Sequence, residues 1–205
     1  RYRVMKKLSV LLCIFLLSAC APSEVPSDKL VERNGIKYEI NSQIPFTGVS
    51  TAYYENGQLK SKGTYKDGER QGLYERYHEN GQLRSKVTYK DGEPYGPIDW
   101  YYETGQLRSK VTYKDGGENG LTETYFDNGQ LKEKRTYKDG ELNGLTETYL
   151  ENGQLNEKIT VKDGSGILVR YRDNGRLWIT ATYKDEELNG LKEVYYENGQ
   201  LEYQQ

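Results

Sequence analysis

The dipeptide Asn-Gly, once Thr-Gly, returns along the chain at an almost fixed interval, with a Leu two residues after each Gly. Successive intervals are 24 residues, except for one of 22. The glycines are Gly57, Gly81, Gly105, Gly129, Gly153, Gly175 and Gly199. A fixed period of this size indicates a chain of repeats rather than one compact globule.

Each repeat contains two turn signals. Asn-Gly between alternating residues predicts a hairpin with a two-residue type I′ turn, in which both central residues have positive φ. The sequence KDGExxG, as in Lys66 to Gly72, predicts a second reversal with a longer loop. The expected fold is therefore all-β: an elongated, single-layer antiparallel meander or solenoid of about seven hairpin repeats and roughly 14 strands.

The charges predict the register between strands. A two-residue loop at Asn80-Gly81 sets Glu75 opposite Lys86, and opposite charges across a ladder each contribute about 0.2–1 kcal/mol. The same counting pairs Asp99 with Lys110, Glu123 with Lys134, and Glu147 with Lys158.

This register predicts two amphipathic faces. One would carry the Leu row that begins at Leu59, together with the Tyr row that begins at Tyr65. The other would carry the acid–lysine pairs beside the row that begins at Tyr53. Neither face is apolar enough for a deep core. A sheet wetted on both sides fits, since Tyr stacks through its ring and keeps its hydroxyl in water.

Composition agrees with an extended, ordered chain. Only 35% of the 205 residues are hydrophobic and 29% are charged, yet there are 20 Tyr, whereas disordered chains are poor in aromatics. The leader holds Arg1, Arg3, Lys6 and Lys7, so the remaining chain has 29 less 4, or 25, basic residues against 31 acidic. An acidic balance argues against nucleic acid as a partner.

The N-terminus resembles an export signal. Basic residues precede a 10-residue apolar run, Leu8 to Leu17, which is too short to span a bilayer. The following LSAC resembles a bacterial lipobox, with cleavage before Cys20 and lipid on its sulfur. We therefore expect a signal peptide at 1–19, a lipidated Cys20 with a flexible tether at 20–35, and the repeat array at 36–205.

No arrangement in the sequence predicts catalysis. With one His and two Cys, one of them in the leader, the chain lacks the usual zinc ligand sets and nucleophile–His pairs. The recurrent Asp-Gly aspartates fit turns, where Asp bonds its own backbone. We expect no enzyme activity, no metal and no cofactor.

The repetition is interrupted at a few positions. The sixth repeat is two residues short, and Pro97 stands where other repeats have Leu, which predicts a kink with Trp100 exposed beside it. Aromatic residues are enriched at binding surfaces. The candidate partner-binding residues are Tyr95, Trp100, Tyr101 and Trp178.

The segment YYENGQLKSKGTYKDGERQGLYERY resembles the MORN-variant repeat of bacterial proteins that are often described as YwqK-type antitoxin components. The resemblance covers Phe46 to Gln205. It implies a scaffold for protein or lipid contact, and the antitoxin role would take an immunity-like form in an exported protein.

The leading hypothesis is thus a lipid-anchored envelope protein that binds another protein, such as a toxin. The envelope would be bacterial, and the outer membrane is favoured in a Gram-negative host because Ala21 follows the cysteine. Two alternatives stay open: a module that binds glycan or phospholipid, and a passive spacer. The sequence leaves the oligomeric state open.

Overall fold

A computed structural model describes residues 24–162, 164–185 and 187–205. The elements are β1 (Glu24–Pro26), a 3-10 helix (Ser27–Lys29), β2 (Leu30–Arg33), β3 (Ile36–Glu39), β4 (Gly48–Tyr53), β5 (Leu59–Lys66), β6 (Glu69–Tyr77), β7 (Leu83–Lys90), β8 (Glu93–Tyr101), β9 (Leu107–Lys114), β10 (Gly117–Tyr125), β11 (Leu131–Lys138), β12 (Glu141–Tyr149), β13 (Leu155–Lys162), β14 (Ser165–Tyr171), β15 (Leu177–Lys184), β16 (Glu187–Tyr195) and β17 (Leu201–Gln204).

Strands β4 to β17 form one antiparallel meander in chain order, and β1 adds to its first edge in parallel to β4. The described strands therefore build an open sheet of 15 strands and a separate hairpin of β2 and β3. This confirms the all-β, single-layer meander of repeats.

Residues 24–39 are ordered against the first repeat. Lys37 donates its backbone N–H to Gly68 O at 3.0 Å, and Phe46 donates to Lys37 O at 2.8 Å. Phe46 and Tyr65 are both buried, with ring centroids 5.9 Å apart. Within the predicted tether, 20–35, β1 pairs with β4 and β2 pairs with β3.

The Asn-Gly corners differ from the prediction. Between β6 and β7, His78 donates to Gln82 O at 2.8 Å and Gly81 donates to His78 O at 2.9 Å. Gly81 has φ +83°, whereas Asn80 has negative φ. The corner is a three-residue loop, a type I turn closed by glycine, and not a type I′ turn. Asn80 Oδ1 stabilises it by accepting the Gln82 N–H at 3.0 Å.

A bulge after this corner restores the predicted pairing. Tyr77 pairs with Leu83, but Arg76 pairs with Ser85, so Arg84 is the extra residue. The acid–lysine register is therefore confirmed, with Glu75 opposite Lys86. The other three predicted pairs are confirmed as well: Asp99 with Lys110, Glu123 with Lys134, and Glu147 with Lys158.

The Asp-Gly corners are the tight ones. Asp67 and Gly68 have φ +49° and +83°, and Lys66 pairs directly with Glu69. This is a two-residue turn of type I′ form. The predicted longer loop is wrong; the extra residues form a bulge inside the next strand, around Gly72.

That second bulge explains two sequence irregularities. Pairing between β13 and β14 runs without any shift, so the missing two residues of the sixth repeat are those of the bulge. Pro97 has no bridge partner on β7, like Leu73 on β5 and Leu121 on β9. The irregularity expected at Pro97 is therefore present as a bulge, but other repeats share it and the proline does not alter the register of β8.

Because of the bulges, the Leu row lies on the opposite face from the one predicted. Leu83 lies directly opposite Tyr77, on the face of the acid–lysine pairs, whereas Tyr65 and Tyr89 lie on the other face. We name the first the ladder face. The second is the packed face, and its central row contains the buried side chains Val87, Ile98, Val111, Thr146, Leu168 and Ala181.

Candidate binding surfaces

The ladder face carries an uninterrupted row of alternating charges, which we name the charged ladder. Each member lies opposite the next on adjacent strands. Its members are Lys62, Glu75, Lys86, Asp99, Lys110, Glu123, Lys134, Glu147 and Lys158. The Lys158 Nζ–Glu147 Oε1 distance is 3.8 Å. Beyond Lys158 the row ends in Val169.

A row of tyrosines supports the acids of this ladder. The Tyr77 hydroxyl donates to Glu75 Oε2 at 3.1 Å, and the Tyr149 hydroxyl donates to Glu147 at 2.9 Å. Tyr125 does the same for Glu123 at 3.1 Å. Burial, and then the carboxylate of Glu75, raise the pKa of Tyr77. The tyrosines are thus protonated donors that fix the carboxylates.

On its other side the ladder is bordered by an aliphatic row, defined as Leu73, Pro97, Leu121, Leu145, Ile167 and Leu191. Four of these side chains are strongly exposed: Leu73 by 40%, Leu121 by 37%, Ile167 by 54% and Leu191 by 45%. The six members of the row recur on every second strand, from β6 to β16, about 10 Å apart. Sequence reasoning missed this row as a surface, although each member directly follows a glycine, which is a signal that could have found it.

Along the Asn-Gly edge, the residue at the bulge covers the aromatic residue that precedes the turn. Lys60 lies 5.4 Å from the ring centroid of Tyr54, and Arg108 lies 5.9 Å from that of Tyr102. In the sixth repeat the two residue types exchange positions, with the basic residue before the turn and the aromatic residue at the bulge. There Trp178 is the bulged residue, and the guanidinium of Arg172 lies 5.4 Å from its ring.

The residue before the turn also links neighbouring repeats. The Tyr54 hydroxyl donates to Tyr77 O at 2.7 Å, and Tyr102 donates to Tyr125 O at 2.8 Å. Arg172 keeps this function in the sixth repeat by donating to Tyr195 O at 2.7 Å.

The structure does not bring the four predicted partner-binding residues together. Tyr95 is 50% exposed near the Asp-Gly edge, 5.6 Å from Lys90 Nζ. Trp100 is half-buried on the packed face, and not exposed as expected, whereas the adjacent Tyr101 is half-buried on the ladder face. Trp178, 39% exposed, lies seven strands from Trp100 in the sheet order. Cys20 lies outside the described residues.

Two open grooves on the packed face lie within the described residues and stand out by their volume. One, of about 590 Å³, contains Trp100, Tyr102 and Tyr113. The other, of about 780 Å³, lies at the sixth repeat and is lined by Ile159, Gly166, Leu168 and Tyr183, where the pairing of β13 with β14 has no bulge. Among the described residues, no group of His, Cys, Asp and Glu is arranged to hold a metal ion. In the same part of the chain, no helix has the length and apolarity to cross a membrane.

Comparison with known proteins identifies the repeats. The comparison with curated proteins finds no match. A solved structure titled "Crystal structure of GtfA/B complex bound to UDP and GlcNAc" matches with 17% identity and a TM-score of 0.25. That match covers 56% of this chain and 22% of the other. A family model described as MORN repeat variant matches residues 46–67, 70–91, 96–115, 118–139, 142–163 and 188–205. These matches cover more than half of the chain, which belongs to the MORN repeat variant family.

Proposed function

We propose that the protein is a repeat scaffold that binds another protein through its ladder face, held at a bacterial envelope by a lipid on Cys20. The observation that carries this proposal is the aliphatic row, in which four of the six side chains, Leu73, Leu121, Ile167 and Leu191, are 37–54% exposed. Threonines such as Thr88 and Thr136 lie between its members on the intervening strands. Exposed apolar side chains gathered on one face and bordered by polar residues are typical of protein interaction sites.

The charged ladder favours a protein over a lipid surface or nucleic acid. Its five lysines and four acids alternate, so it presents no uniform field to a polyanion. A partner with alternating charges would instead be fixed in one register, since like charges placed opposite each other disfavour other alignments. The tyrosine row adds aromatic surface, which is enriched at interfaces.

The proposed location of the protein is supported by its N-terminal sequence. Arg1 to Lys7, the apolar run and Cys20 support export and lipid anchoring, with Ala21 favouring the outer membrane of a Gram-negative host. A YwqK-type, immunity-like role is compatible with a location in the envelope if the partner is a toxin that acts there.

Site-specific photo-cross-linking in the full-length, membrane-located protein tests the ladder face. A benzoylphenylalanine at Leu121 or Ile167 would report on the aliphatic row. The matched control is Leu142, which is 38% exposed but pairs with Tyr137 on the packed face. We expect one protein adduct of the same mass from both ladder positions, and none from Leu142.

A second variant tests the apolar contact itself. Leu191→Glu should reduce the Ile167 adduct at least tenfold, because a partner would have to bury an unpaired charge. Absence of any protein adduct at Leu121 and Ile167 would overturn the proposal. An adduct from Leu142 alone would also contradict it, since the partner would then lie on the packed face.

A further inference from the structure

The groove at Trp100 on the packed face arises from a local break in the repeat. Other repeats have a smaller or flexible residue at this position, such as Thr124, Thr148 or Val194. Trp100 pairs with Ser85 on one side and Ser109 on the other. Ser85 is buried, whereas the Ser109 side stays open and contributes to the groove. A large ring between two small residues therefore leaves one side of the indole accessible.

Aromatic and polar groups converge around this space. Tyr113 lies on the same face as Trp100, and Tyr102 borders the groove from the Asn-Gly edge. Val111, which is buried, belongs to its floor. The volume of about 590 Å³ is in the usual range for sites that bind small organic ligands.

The polar lining offers donors and acceptors together. Arg108 and Lys132 supply N–H donors, and Glu118 and Glu133 supply acceptor oxygens. The two carboxylates are held in place by neighbours. Glu133 Oε1 lies 2.6 Å from Arg135 Nη2, and Glu118 lies directly opposite Tyr113 on the adjacent strand. Burial, and then Glu118, raise the pKa of Tyr113, which therefore remains a donor at neutral pH.

This combination selects among ligand classes. An acyl chain would cover the charged groups of Arg108, Lys132, Glu118 and Glu133 with apolar surface, which costs their hydration without adding hydrogen bonds. A simple anion would meet two carboxylates beside the two cations. A sugar ring has an apolar C–H face that stacks on an aromatic ring, and hydroxyl groups that both donate and accept hydrogen bonds. We infer that the Trp100 groove binds a short oligosaccharide of about two or three sugar units. This inference concerns the packed face and does not depend on a protein partner at the ladder face.

The tryptophan count makes a direct test possible, because Trp100 and Trp178 are the only two in the chain. Trp178→Phe leaves Trp100 as the sole indole reporter, and Trp100→Phe is the matched variant that leaves Trp178. Each full-length variant is titrated with cellotriose, maltotriose and the trimer of N-acetylglucosamine. We expect at least one sugar to change the Trp100 emission saturably, with a Kd of about 1 mM or tighter, and no change in Trp178 emission.

A third variant separates the groove from general surface effects. Tyr113→Ala on the Trp178→Phe background should weaken binding at least tenfold. If either tryptophan variant fails to fold, 19F NMR of the unmodified sequence with 5-fluorotryptophan resolves both indoles, and only the Trp100 signal should shift. An unchanged Trp100 signal with all three sugars up to about 20 mM, or equal changes at both tryptophans, would overturn the inference.

Discussion

Gly63 shows how one residue type decides local packing on the packed face. It pairs with Tyr74, and a Cβ at Gly63 would overlap the Tyr74 ring. The corresponding residue of the next repeat is Val87, which pairs with Ile98. The Gly63–Tyr74 pair of the first repeat thus corresponds to the Val87–Ile98 pair of the second repeat. The two residues of each pair should be energetically coupled.

Gly63→Val should therefore lower the free energy of unfolding by about 1–3 kcal/mol, because the Tyr74 ring must move. Gly63→Val combined with Tyr74→Ile recreates the pair of the second repeat and should recover at least half of that loss. Urea denaturation of the four proteins of this double-mutant cycle measures the coupling. Additive losses would show that the ring of Tyr74 does not depend on the glycine.

The residues at the Asn-Gly corners show why the sequence predicted the strand register correctly but the turn type wrongly. Thr104 occupies the Asn position of the third corner, and its Oγ1 lies 3.5 Å from the Gln106 N–H. A β-branched residue fits the negative φ of a type I turn but is strained in a type I′ turn. Thr104 therefore indicates that the predicted type I′ turn is wrong. The acid–lysine pairs predicted the register correctly because they lie within the strands and not in the turns.

At the scale of the strands, the charged ladder behaves differently from isolated ion pairs. Lys110 has an acid on each side, Asp99 and Glu123. Lys158 has Glu147 on one side and Val169 on the other. Every interior member therefore lies opposite two charges of the other sign, and a single charge reversal would place it opposite two like charges.

Lys110→Glu should lower stability by roughly twice as much as Lys158→Glu, with about 0.2–1 kcal/mol for each like-charge contact. Lys110→Glu with Asp99→Lys should not recover the loss, because new like-charge contacts form with Glu123 and Lys86. Urea midpoints at low salt measure these differences, which should shrink at high salt. Full recovery in the double variant would show that Asp99 and Lys110 act as an isolated pair.

The tyrosine row predicts a dependence on alkaline pH. The pKa of Tyr77, Tyr125 and Tyr149 is raised, first by burial in each case and then by the neighbouring Glu. Between the unfolded pKa of about 10 and the higher folded pKa, the folded state binds more protons, so stability falls as pH rises.

Ultraviolet titration of tyrosinate should therefore show a late-ionising group of tyrosines, and urea midpoints should fall above about pH 10. Glu75→Gln should lower the folded pKa of Tyr77 only in part, because the contribution of burial remains. Tyr77→Phe is the control that removes one late-ionising group. A single transition of all tyrosines at the pH of the unfolded chain would contradict this expectation.

At the scale of the whole molecule, neither groove nor the aliphatic row followed from the sequence. The Trp100 groove depends on which residues lie opposite Trp100, and the sixth-repeat groove depends on a bulge that the repeat lacks. Sequence reasoning found Trp100 by its irregularity but expected it to be exposed beside a kink. The irregularity at Pro97 is the bulge that most repeats share, so it does not expose Trp100.

The proposed anchor has its own test in the complete protein. Cys20→Ser should abolish incorporation of labelled palmitate and release the protein from the membrane fraction, because no thiol would remain at the lipobox for acylation. Cys13→Ser is the matched control and should leave both readouts unchanged. Membrane association that persists in Cys20→Ser, without label, would contradict lipid anchoring.

The two-residue gap in the sixth repeat has a consequence for how such a chain can vary. Side chains alternate between faces, so a change of length by an even number keeps every later residue on its own side. Leu168 still pairs with Ala181, and Val169 with Thr180, on the far side of the gap. Variants that gain or lose residues in pairs should therefore keep both surfaces, whereas a single-residue change would exchange them downstream unless a one-residue bulge, like that at Arg84, restored the pairing.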